Sequence, residues 1–190
     1  MADMVTDVLN MPDVARIAFT FGTIAVGTVG FAAVKAALIS GQMTVEIDKK
    51  RGNGHAVYRY THDKFIMGFA SAAGNADLQA LVVHEAVHAG FDAAATVMLV
   101  KESEALAHIA QCLFFYYVNE VALSGGTSVP AFRDPILKAA WPVSQIALTR
   151  PALTAADLDP LFTAISVHAT YKDRYDKSEP YDGLKPAPGK

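Results

Sequence analysis

Between Asn75 and Glu120 the chain holds two helix-forming stretches separated by Thr96-Val-Met-Leu-Val-Lys101, where β-branched residues interrupt good helix formers. Those six residues decide the shape of the molecule. If the whole segment were one rod, Glu104 would lie about 24 Å along the axis from His88, out of reach of its side chain. If the first helix instead ends near Ala95, about 11 Å beyond His88, residues 96–101 can retrace that distance, and the second helix returns antiparallel to the first.

The first stretch places Leu78, Leu81, Val82 and Phe91 at the three-and-four spacing of a helix with one buried side. Asn75 is a suitable cap for it, with Asp77 favourable in the first turn. The same stretch contains His84-Glu85-x-x-His88. Two imidazoles one turn apart on one face can bind one tetrahedral zinc at roughly 2.0–2.1 Å each, while Glu85, rotated about 100° around the axis, faces a water instead of the metal. A solvated helix face has no need of that order of residues.

A zinc that does chemistry needs a third protein ligand and one open position. Four residues compete for the place. In the rod geometry Asp92, roughly 6 Å beyond His88, is the local candidate. In the folded-back geometry Glu104 returns to the metal, with Glu102 and His108 on the same helix. Glu102 reads most simply as an exposed acid beside the N-terminus of the second helix. Asp92 and His108 can each orient a ligand through a hydrogen bond or bind the metal directly.

Val83-His-Glu-Ala-Val-His-Ala-Gly-Phe-Asp92 followed by Ser103-Glu-Ala-Leu-Ala-His108 resembles the thermolysin-type zinc peptidases, the gluzincins, over about thirty residues. The resemblance implies His84, His88 and Glu104 as zinc ligands and Glu85 as the base of a peptidase acting on peptide or protein substrates. The gap from the second His to the Glu is shorter than in thermolysin itself, and His108 stands where a carboxylate is usual. The size is more like the minimal zincin-like domains of bacterial proteins, toxin cassettes included. For the developing oxyanion, His168, Tyr171 and Tyr175 are candidate donors near the end of the last helix. His55 and His62 read first as turn and strand-end residues.

The chain of 190 residues fits one domain with terminal extensions. Its net charge of −3, with Lys and Arg scattered and not interleaved with aromatics, argues against a nucleic-acid partner. A single cysteine, Cys112, excludes an internal disulfide and reads as a small buried hydrophobe, so this is not a disulfide-stabilised secreted protein.

Ile17 to Val34 runs without a charge and predicts an N-terminal apolar helix closed by Gly41: buried, packed on a partner, or associated with a membrane. The acidic residues before it argue against a cleaved signal. Residues 1–42 are accordingly set apart from a unit over 43–175 and an extended tail over 176–190, and the location is cytoplasmic or membrane-associated. Met43–Asp48 and His55–Thr61 predict a hairpin across Lys49–Gly54, with Lys64–Phe69 as a third strand. After a break at 124–130, helices are expected over 132–149 and 154–173, the second opened by the capping box Thr154-Ala-Ala-Asp157. The expected class is therefore α+β and mostly helical, with a small antiparallel sheet over about 43–69 packed on the helix pair.

A second reading keeps the metal but not the chemistry: a non-enzymatic protein whose ion pins helices together, with residues 17–34 attaching it to a membrane or partner. A fourth protein ligand such as His108 or Asp92 would favour that reading. A di-iron carboxylate bundle is disfavoured because Glu104 to His108 is one residue longer than the Glu-x-x-His it requires.

Overall fold

The computed structural model describes residues 3–120, 123 and 131–186. The break expected over 124–130 and the end of the tail, 187–190, lie outside the described residues. The fold is α+β and mostly helical, with small sheets at its margins.

Two short helices, α1 (Asp3–Leu9) and α2 (Pro12–Ala15), lead into the uncharged run, which does not form the single helix expected over 17–34. Phe19-Thr-Phe21 and Ile24-Ala-Val26 carry aromatic and β-branched side chains that favour extended backbone. Gly22 adopts φ +57° in the two-residue loop between them, and the result is a hairpin of β1 (Phe19–Phe21) and β2 (Ile24–Val26). Only from Thr28 does the chain become helical, as α3 (Thr28–Ser40). Gly41 ends it in the left-handed region at φ +77°, as expected. Among the described residues no helix is long and apolar enough to cross a membrane.

Residues 44–67 form the expected three strands with a different pairing. β5 (Lys64–Met67) lies in the centre, parallel to β3 (Thr44–Ile47) and antiparallel to β4 (Ala56–Arg59). The hairpin expected between 43–48 and 55–61 is therefore absent, and the sheet is mixed. The reason is burial: Phe65, Ile66 and Met67 are all covered, which suits a central strand, whereas β3 and β4 alternate or sit half-exposed. A 3₁₀ turn at Lys49–Arg51, capped by the Asp48 side chain on Lys50 N–H (3.1 Å), redirects the chain away from a simple return.

Asn75 caps α4 (Ala76–Ala93) by accepting from Leu78 N–H at 3.1 Å. Ala95, at φ +47°, reverses the chain, β6 (Met98–Leu99) follows, and α5 (Val100–Val118) returns along α4. Glu102 accepts from Leu99 N–H at 2.8 Å, so its carboxylate serves the start of α5. α4 also packs on α3, where Gly90 meets Gly30: a Cβ on Gly90 would touch the Gly30 backbone at 3.5 Å, so the helices cross with nothing between them.

α6 (Pro135–Thr149) and α7 (Ala155–Val167) complete the helical side. Thr154 and Asp157 form the expected capping box, but α7 ends at Val167, not at 173. β7 (Ala152–Leu153), between these helices, pairs in parallel with β1 and ties the chain's beginning to its last third. The tail is extended yet docked: β8 (Ser178–Glu179) pairs with β6, and Lys185 N–H reaches Asp63 Oδ2 at 3.0 Å. One continuous core includes Val5, Phe31, Val83, Leu106, Leu161 and Tyr181, so N-terminal residues and tail are packed into the same interior as the helix pair.

Candidate metal centre

α4 and α5 each present an i, i+4 pair inward, His84 with His88 and Glu104 with His108. With Glu85, these residues are between 5% and 8% exposed. The reversal at 94–99 brings Glu104 back to the histidines, as the folded-back geometry requires. His84 Nε2 lies 3.1 Å from His88 Nε2, and Glu104 Oε2 lies 3.6 Å and 3.8 Å from them. Donors about 2.0–2.1 Å from a tetrahedral centre are about 3.3–3.4 Å apart, so these three stand close to the edges of such a site. A looser grouping of His84, Glu104 and His108, with donor atoms all within 4.8 Å of one another, can also hold a metal ion.

Hydrogen-bonding accounts point the same way. Glu104 Oε2 and both ring nitrogens of His108 are buried without a partner. Such groups are costly to leave unmatched, and a cation matches them. Burial opposes the charge on Glu104, yet His88, His84 and His108 around it hold its carboxyl well below the usual range. Burial draws His88 down to about 4 and His108 well down, keeping both neutral with lone pairs available. For His84 burial is outweighed by Glu104 and Glu85, and its pKa rises. The donor set of imidazoles and one carboxylate suits zinc and similar divalent ions.

Glu85 points to the sheet side. Its Oε2 accepts from Tyr58 N–H on β4 at 2.6 Å. Burial raises its pKa, against the pull of His84 and of that N–H bond. A cavity of about 710 Å³ is lined by His84, Glu85 and His108 together with Gly54–Ala56, Leu81, Phe115 and Leu137. Tyr171 lines it as well. Burial, together with Glu104 and Glu85, keeps the Tyr171 hydroxyl protonated. His168 is not among the lining residues; it sits half-exposed with its ring 5.6 Å from that of Tyr171. Tyr175 is outside the cavity also, beside Lys101.

Asp92 is committed elsewhere. It is fully buried and accepts from Tyr58 O–H at 2.7 Å and from Asp182 N–H at 3.2 Å, bracing α4 against the sheet and the tail. Replacing Tyr58 by Phe removes one of those donors from a buried carboxylate, and urea denaturation is expected to show a loss of about 1–3 kcal/mol. The groups that hydrogen-bond His88 are not Asp92, a candidate for such a role, but Ser103 and Tyr181, whose hydroxyls lie 2.9 Å and 2.8 Å from His88 Nδ1.

Neither residue stood out in the sequence. Ser103 precedes Glu104 without any motif of its own, and Tyr181 sits among Pro and Gly residues that read as a loose tail. Gln111 was missed too. It lines the cavity one turn beyond His108, and its buried Oε1 lacks a partner.

Fold and site together define a mostly helical α+β protein with a buried His and Glu group able to hold a metal ion. Comparison with protein-family models, with curated proteins and with solved structures gave no match for this chain.

Proposed function

We propose that the chain is a zinc-dependent peptidase that hydrolyses extended peptide or protein substrates, with His84, His88 and Glu104 holding the metal and Glu85 as general base. One arrangement supports this above all: His84, His88 and Glu104 stand near tetrahedral spacing, and His84 lines a cavity together with the buried carboxylate of Glu85 and Ala56 of the edge strand β4. Bound there, zinc would supply Lewis acidity to a water and to the substrate carbonyl.

The chain's own residues do the rest. Glu85, its pKa raised by burial, takes the proton of the attacking water through the oxygen not held by Tyr58 N–H and passes it to the leaving amine. Tyr171, kept protonated in the same cavity, donates to the developing oxyanion.

Substrate alignment falls to β4. β5 is central, whereas β4 lies at the edge of its sheet, on the side of Glu85. His55 C=O faces Gly68 N–H, whereas Tyr58 N–H faces Glu85. By the two-residue alternation, Ala56 turns its N–H and C=O the same way as Tyr58, into the cavity. An extended peptide pairing there lies across Glu85.

The proximity of His108 to His84 and Glu104 favours the second reading, in which a fourth ligand closes the site and the metal only pins helices. The wider spread of that group weighs against it. The deciding experiment incubates zinc-loaded protein with a mixture of unstructured peptides and with casein, with and without chelator. Cleavage that the chelator stops and zinc restores supports the peptidase. One tightly bound zinc per chain with no peptide cut would leave the pinned-helix protein.

A further inference from the structure

The geometry points to Tyr181 as a positioning residue for the metal centre, supplied by the C-terminal tail and acting through His88. This rests on the metal reading of the site but not on the peptidase reading.

His88 can offer Nε2 to a cation only if its remaining ring proton sits on Nδ1. Nδ1 has two neighbours, Tyr181 O–H at 2.8 Å and Ser103 Oγ at 2.9 Å, and the two hydroxyls are 2.7 Å from each other. All three groups are buried. One hydroxyl therefore accepts from Nδ1–H while the pair share a second hydrogen bond, which fixes both ring tilt and tautomer.

Ser103 comes with α5. Tyr181 lies nine positions before the last residue of the sequence and is brought to His88 by the tail alone. Its ring is wedged between Tyr60 and Phe91, with centroids 6.0 Å and 6.2 Å away. Pairing of β8 with β6 and the Asp182 N–H bond to Asp92 hold the tail on either side of it. Full affinity for the metal is thus conditional on the docked tail, although none of the ligands belongs to it.

The test uses the full chain. Zinc affinity is measured by chelator competition for the wild type, Tyr181→Phe, Ser103→Ala, the double variant and the control Tyr60→Phe, whose hydroxyl does not touch His88. Phe keeps the wedge, so thermal midpoints should stay close. Tyr181→Phe should weaken zinc binding about 10-fold and the double variant toward 100-fold, as losses of ligand-orienting hydrogen bonds do, while Tyr60→Phe leaves it unchanged. In zinc-loaded protein the His88 Nδ1–H resonance, protected from exchange in the wild type, should broaden in Tyr181→Phe. Equal affinity and an equally protected resonance in Tyr181→Phe would overturn the role of the tail. Absence of zinc binding by the wild type would overturn the metal reading beneath it.

Discussion

Replacing Glu85 with Gln is expected to leave one zinc per chain in place and to cut peptide hydrolysis by about 10³-fold, the middle of the range for a lost general base. The substitution is nearly isosteric, and the Gln carbonyl can still accept from Tyr58 N–H at the position where Glu85 Oε2 does so at 2.6 Å. What disappears is the capacity to take a proton. His84, His88 and Glu104 are untouched, so metal content separates this effect from loss of the site. Unchanged turnover in a variant of unchanged metal content would remove Glu85 from the chemistry.

Gly68→Ala should produce the largest purely structural effect. A Cβ at Gly68 would lie 1.9 Å from the carbonyl oxygen of Gly52 and 2.9 Å from its carbon. The obstacle is backbone, not the end of a flexible side chain, and Gly68 N–H is already fixed to His55 C=O at 2.8 Å. The loop from Gly52 to His55 must therefore move or the end of β5 must come away. Overpacking usually costs about 1–3 kcal/mol, and a backbone obstacle places this case at the top of the range. For a chain of this size about 3 kcal/mol corresponds to a thermal midpoint lower by roughly ten degrees. Because Gly54, His55 and Ala56 line the cavity, substrate affinity should fall along with stability. A midpoint within two degrees of wild type, about half a kcal/mol, would show that the loop yields freely.

The parts of this structure legible from sequence were those written in local chemistry. His84, Glu85 and His88 are fixed relative to one another by helical spacing, and the break in helix formers at 96–101 signalled the reversal, which falls at 94–99, that returns Glu104. Asn75, Gly41 and the Thr154–Asp157 box marked element ends because capping needs particular side chains or φ values at single positions.

The uncharged run 17–34 was less readable because hydropathy does not distinguish a helix from a buried hairpin. There Gly22 and its aromatic and β-branched neighbours decided the outcome. The pairing of β3 with β5 instead of β4 depends on which strand is covered on both faces, a property of the whole interior. Tyr181 and Ser103 were invisible for a related reason: their partner, His88, meets Ser103 only once α5 has folded back along α4, and Tyr181 only once the tail has docked.

The alliance of β1 with β7 carries a cost during synthesis. Thr20 sits opposite Ala152, so one side of the first strand has no mate until most of the protein has been made, a wait on the order of ten seconds at ordinary elongation rates. Through that interval a ribosome-bound chain displays Phe19 and Phe21 on an open strand margin, a surface that invites association with other nascent chains or shelter by a chaperone.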